Sequence, residues 1–453
     1  MIAQILNDEF LLGAAEDTRL ELKRFVEQRE RRETVAEGPL SLVDDEQIRE
    51  VIEELDRAVL AHEARVTESK DAWICMPREP ILAILQSELT RVASDQRPAA
   101  IVEGAGITRA RIADDPGERT DGGRRAFGKY EVTRPKILSD PRWLWSGVVI
   151  AWNKFKKKAD FGGLAGHAVS IADDARVLLV GDWGSGIERA QAVAAQMRLV
   201  LEQGMAEGRE QHVIHLGDVY YTGAREEYEN NFLRYWPVKE GEGIGSYALC
   251  GNHDMYQGGH AYYATALADP RFARQEHKSV FMLRSSVWQL LGLDTSYKDK
   301  RLFGGQAAWI EEQLQAAPGS RTALLSHHQP WSAYEDAGKE LRSEVKDILA
   351  SGRIDAWFWG HEHRCLVYEP RENVKLSSCV GHGGIPEYLV AAEGKPYPPG
   401  LRYDYRRKHG HGIEPWNTFG FAVLELDGYD LNVKYIAEDG GQPHHEEELR
   451  HGV

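Results

Sequence analysis

The sequence predicts an α/β domain over its C-terminal part, preceded by a mostly helical region. Three observations predict this. From residue 175 onward, continuous apolar runs end in Gly, Asp or His: RVLLVG, HVIHLG, YALCG, VWQLLGLD, TALLSHH and DAWFWG. Such runs are the mark of strands buried on both faces. Helical stretches intervene, clearest at ERAQAVAAQMRLVLEQ and GQAAWIEEQLQAA. Upstream, apolar residues recur at helical spacing instead.

Within DDEQIREVIEELDRAVLAHEARV, the residues Ile48, Val51, Ile52, Leu55 and Val59 form one buried stripe on an otherwise acidic helix. A second helix is expected after Asp17 and Thr18, where Thr18 and Glu21 have capping-box spacing. A third follows Pro80, with Ile81, Leu85, Leu89 and Val92 on its apolar face. Residues 113–125, ADDPGERTDGGRR, read as a loop or hinge. In PRWLWSGVVIAWNKFKKK, residues 141–158, the apolar stretch falls short of the roughly 20 residues that span a bilayer. It is either a peripheral amphipathic anchor or a Trp-rich segment packed on the domain with Lys154, Lys156, Lys157 and Lys158 solvated. The resulting divisions are a helical region at 1–137, a Trp/Lys-rich connection at 138–174, the α/β domain at 175–437 and a flexible tail at 438–453.

Composition narrows the function classes. With 42% hydrophobic and 28% charged residues the chain is globular. A net charge of −16 provides no basic face for non-specific nucleic-acid binding. No signal peptide is read at the N-terminus, where Asp8 and Glu9 interrupt the apolar residues. Cys75, Cys250, Cys365 and Cys379 lie far apart with no CxxC pair, which argues against a disulfide framework or a thiolate zinc site and makes a reducing cytoplasm the expected location.

The chemistry concentrates at five strand exits: Asp182 in GDWG, Asp218 and Tyr221 in GDVYY, Asn252, His253 and Asp254 in GNHD, His327 and His328 in SHHQP, and His361 and His363 in GHEH. Taken singly, each is explained by a turn, a helix cap or a structural histidine. Together they supply the carboxylates and imidazoles needed by two hard or borderline cations sharing one carboxylate. Their order and spelling over residues 176–384 resemble the calcineurin-like metallophosphoesterase superfamily, and within it the purple acid phosphatases.

The resemblance implies a four-layer α/β/β/α sandwich with a dinuclear centre. One metal, Fe(III), would be held by Asp182, Asp218, Tyr221 and His363, and the second, Zn(II), Mn(II) or Fe(II), by shared Asp218 with Asn252, His327 and His361. Two divalent ions, manganese or zinc, are the alternative. Tyr221 would fill the place that many relatives give to a histidine and that Gly184 leaves vacant, although Tyr220 is equally available by sequence. His253 would protonate the leaving group with Asp254 orienting its imidazole, and His328, Arg364 and His382 are candidate substrate contacts. The expected reaction is hydrolysis of a small phosphate monoester by a bridging or terminal water acidified by the metals. A phosphodiesterase is the rival within the class, and a non-catalytic binding scaffold the rival outside it. The family's usual export and N-terminal β-domain have no counterpart in residues 1–170.

Overall fold

The computed structural model describes residues 8–31, 43–68, 79–95 and 142–452, apart from 336, 388, 390, 392–393 and 410–415. The expected 113–125 loop and Cys75 lie outside the described residues. Helices α1 (Asp8–Glu30), α2 (Asp45–Glu68), α3 (Pro80–Asp95) and α4 (Arg142–Lys156) make up the N-terminal region. The predicted stripe of α2 is buried with Leu11, Leu22, Ile81, Leu85 and Trp152 in one core.

Helix α1 starts well before the expected cap at Thr18. The Thr18 hydroxyl instead donates back to the Ala14 carbonyl (2.7 Å), as Thr does inside a helix, while Leu11, Ala14 and Ala15 extend the buried stripe upstream. In α4, Val148, Val149 and Trp152 are buried, Trp152 Nε1 donates to Glu50, and Lys156 pairs with the same carboxylate at 2.6 Å. The described part of this segment thus packs within the protein. Among the described residues, no helix is long and apolar enough to cross a membrane.

Fourteen strands follow among the described residues: β1 (Val169–Ser170), β2 (Arg176–Val180), β3 (Gln211–His215), β4 (Gly245–Ala248), β5 (Phe281–Arg284), β6 (Trp288–Gly292), β7 (Arg321–Ser326), β8 (Ala356–Trp359), β9 (Cys365–Tyr368), β10 (Leu376–Val380), β11 (Leu401–Asp404), β12 (Gly420–Asp427), β13 (Asp430–Ala437) and β14 (His445–Leu449). They form an eight-stranded sheet, β1-β5-β6-β7-β8-β10-β9-β11, and a six-stranded sheet, β14-β13-β12-β2-β3-β4.

Alternation along each strand explains the continuous apolar runs. Val177 and Leu179 of β2 face the space between the sheets, packed with Ile214, Leu290, Leu325 and Phe358. Leu178 and Val180 face outward against Val193, Met197 and Leu201 of helix α5 (Glu188–Glu207). On the other sheet, Leu324, Trp357 and Trp359 face Trp309, Ile310 and Leu314 of α6 (Gln306–Ala316). Helix, sheet, sheet and helix make the four layers of an α/β/β/α sandwich.

The tail differs from expectation. Residues 445–449 form β14, paired antiparallel with β13, instead of a flexible terminus. The reason is a period-2 pattern hidden among polar residues: Glu447 and Leu449 face inward, and Arg402 donates to the buried Glu447 carboxylate.

Candidate metal centre

Parallel strands β2, β3 and β4 of one sheet, and β7 and β8 of the other, deliver the candidate ligands from their C-terminal ends. Asp182, Asp218, His361 and His363 all adopt left-handed backbone, with φ of 55°, 75°, 70° and 51°. Each such residue costs roughly 1–2 kcal/mol. Strain collected on four candidate ligands is the pattern expected where loop geometry serves a site.

One half of the centre gathers around a phenol. Tyr220 Oη lies 2.9 Å from Asp182 Oδ1, 3.2 Å from Asp218 Oδ2 and 3.0 Å from His363 Nε2. The other half gathers around His327, whose Nε2 lies 3.0 Å from Asn252 Oδ1, 3.2 Å from His361 Nδ1 and 3.5 Å from Asp218 Oδ1. The two oxygens of Asp218 therefore face the two halves separately. Further backbone and side-chain contacts fix the set: the His361 N–H donates to Asp182 Oδ2 (2.7 Å), and Asn252 Nδ2 donates to Tyr256 Oη (2.8 Å).

The donor chemistry fits cations. His327 Nδ1–H donates to the Leu216 carbonyl at 2.9 Å, and burial depresses its imidazole to about 4, so the ring is neutral and Nε2 presents a lone pair. That lone pair meets the Asn252 and Asp218 oxygens with no proton to share between them. Burial and the Asp218 charge push Asp182 well above the ordinary carboxylate range, and burial also raises Asp218. The contacts these carboxylates make are with a phenol, backbone N–H groups and imidazoles. Such a set is expensive to bury alone, and two cations would neutralise it.

The tyrosine differs from the sequence reading. The hydroxyl in the centre belongs to Tyr220. The Tyr221 backbone faces elsewhere, its N–H donating to Glu227 (2.6 Å) and its carbonyl accepting from His253 Nδ1 (2.7 Å). The vacancy at 184 has a steric cause, since a Cβ on Gly184 would stand 2.7 Å from Val219 Cγ2 and 2.9 Å from Val219 Cα. No imidazole fits there.

The remaining expected residues divide. His253 lies beside the centre, its N–H donating to Asp218 (2.9 Å) and its ring packed between Tyr220 and Tyr256, each with centroids 4.7 Å away. The partner that orients it is the Tyr221 carbonyl, not Asp254. Asp254 accepts from the N–H groups of Asp218, Val219 and Gly251 and from Tyr228 Oη, so it braces the ligand loops. His328 is buried 4.7 Å, ring to ring, from His361, with Thr295 3.1 Å from its Nδ1. Arg364 is engaged by Glu387 and lies over the Tyr334 ring. His382 is only 1% exposed and its ring lies beside Cys365 and His444, which does not suit it to touch substrate. Sequence reasoning missed Glu335 and Glu387, each 3.9 Å from a candidate ligand, His361 and His363 respectively. No motif marks either.

Residues 175–365 match the calcineurin-like phosphoesterase family. This segment is a calcineurin-like phosphoesterase domain. A stretch of 135 residues is 28% identical to purple acid phosphatase 21 of Arabidopsis thaliana, covering 27% of this chain and 30% of that protein. The chain thus spans under a third of the length of this curated relative. Solved structures similar to this chain include GAP50, described as the anchor in the inner membrane complex of Plasmodium (14% identity, 61% of this chain and 89% of that one, TM-score 0.47). A dimetal phosphatase from Danio rerio aligns at 12% identity over 61% and 99% of the two chains, TM-score 0.39.

Proposed function

We propose that this chain is a dinuclear metal-dependent phosphomonoesterase. The observation that carries the reading is the split Asp218 carboxylate, one oxygen toward the Asp182, Tyr220 and His363 group and the other toward His327 and Asn252. We assign the first cation to Asp182, Asp218, Tyr220 and His363, and the second to Asp218, Asn252, His327 and His361. Bound there, the pair would acidify water, polarise the phosphoryl oxygens and offset charge in the transition state. A phenolate oxygen favours a trivalent ion at the first position, hence Fe(III) beside Zn(II), Mn(II) or Fe(II). The preference for monoesters is supported by the tyrosine beside the carboxylates and the similarity to a purple acid phosphatase.

The chain's own residues then divide the remaining work. His253 keeps Nδ1–H on the Tyr221 carbonyl, which aims Nε2 as the proton donor for the leaving oxygen. Turnover of an aryl monoester and of the matching bis-aryl diester by metal-loaded protein tests the substrate class. Monoester turnover is expected to dominate, and faster diester cleavage would reverse the assignment. Replacing His253 with Gln should slow a poor leaving group, such as phenol, by about 10²-fold or more and a good one, such as nitrophenol, far less. Equal losses for both would remove His253 from the proton-donor role.

A further inference from the structure

A second cluster of metal-binding side chains lies inside the sandwich, separate from the centre above. Cys365 opens β9, His382 follows β10, and His444 immediately precedes β14. Strands β9 and β10 are antiparallel neighbours in the eight-stranded sheet, with Cys365 opposite Val380, whereas β14 belongs to the six-stranded sheet. One donor atom from each of the three residues falls within 4.8 Å of the other two.

The nitrogens there lack ordinary partners. His382 is 1% exposed, and neither of its ring nitrogens has a hydrogen bond; His444 Nε2 is likewise buried and unpaired. The large majority of buried side-chain polar atoms have a hydrogen-bond partner, so two rings with unpaired nitrogens beside one thiol form a polar cluster that protein contacts leave unexplained. The His444 ring is also held in place. Tyr405 stacks on it at 3.7 Å with planes 3° apart, and Tyr403 Oη lies 2.8 Å from Nδ1. If Nδ1–H donates to that oxygen, Nε2 presents its lone pair inward, the arrangement that orients a ligating histidine.

We propose that Cys365, His382 and His444 bind one zinc ion, clipping the two sheets together. A thiolate with two imidazoles suits zinc, three protein ligands leaving one position for water or a small anion. Binding replaces the Cys365 thiol proton with a Zn–S bond and releases that proton to solvent. No sulfur belongs to the dinuclear centre, so spectroscopy separates the sites.

The test uses full-length protein loaded with cobalt(II) in place of zinc, read by its absorption, together with zinc content per chain. The parent should show a thiolate-to-cobalt charge-transfer band and hold one zinc equivalent that Cys365→Ser and His444→Gln both lose. The bands of the oxygen- and nitrogen-ligated centre should persist in Cys365→Ser. A parent without the charge-transfer band overturns the proposal without recourse to any variant, as does a band retained in Cys365→Ser or unchanged zinc in both variants. Loss of the dinuclear bands with retention of the thiolate band would instead strike the proposed function and leave this site standing.

Discussion

The helical region and the sandwich are held together by different electrostatics. On α1 and α2 the ion pairs are half-exposed, such as Arg49 with Glu30 and Lys23 with Asp56, and each is worth under about 1 kcal/mol. In the sandwich, Arg189 of α5 reaches Glu438 just beyond β13 with both side chains under 10% exposed, and Arg406 pairs with Asp404 in similar burial. The helical region rests on its apolar core, whereas the sandwich has charges locked into its frame. Beside the candidate metal centre, a carboxylate of the sandwich ties the two regions together. Glu227 accepts from the N–H groups of Tyr221, Thr222 and Ala224 in the ligand loop and from the Ser87 hydroxyl of α3. The helices can therefore steady the loop that carries Asp218 and Tyr220 without placing a ligand themselves.

Breaking the sandwich side should have the largest effect. Asp218→Asn removes the carboxylate that faces both halves, and activity on an aryl monoester should fall by at least about 10³-fold, with metal lost on dialysis. A fully metallated variant of parental activity would end the dinuclear reading. Glu438→Gln should destabilise the fold by roughly 3–5 kcal/mol in urea at neutral pH, because Arg189 is left buried without its charge partner.

The pH dependence has a definite sign. Although burial raises Glu438, hydrogen bonds from His409 and Arg189 hold it down to about 2. A depressed carboxylate stabilises the fold above its unfolded pKa, and that contribution is lost as pH falls from about 4.5 to about 2. Acid titration of unfolding should be shallower in Glu438→Gln across this window; an unchanged slope would assign the acid sensitivity to other groups.

Two neighbouring tyrosines sharpen the comparison within the loop. Tyr220→Phe should weaken metal retention by about 10- to 100-fold and abolish any tyrosinate charge-transfer colour, while Tyr221→Phe keeps both. The reverse result would restore the assignment expected from sequence. The smallest effect belongs to the helical side. Ser87→Ala removes one hydrogen bond to Glu227 and should cost about 1 kcal/mol, with a modest rise in KM or fall in kcat. A loss as large as that of Asp218→Asn would place α3 inside the catalytic apparatus.

Much of this was legible beforehand because buried parallel strands leave long apolar runs. All six runs became strands, β2, β3, β4, β6, β7 and β8, and the five exits converge on one site. The choice between Tyr220 and Tyr221 was not legible, since adjacent side chains point opposite ways and motif spacing does not report the loop's path. His382 was expected to touch substrate, yet the Gly420 N–H donates to its carbonyl and its side chain is buried, a placement set by strand β12 far along the chain. Strand β14 was hidden because its inward positions include Glu447, whose burial depends on Arg402 from a distant strand. Such long-range pairings leave no local trace.

The left-handed backbone at Asp182, Asp218, His361 and His363 has an evolutionary corollary. Glycine would relax each of these positions, so selection for heat resistance alone favours discarding the very side chains proposed to gather the cations. Variants recovered from such a screen should melt later and turn over nothing.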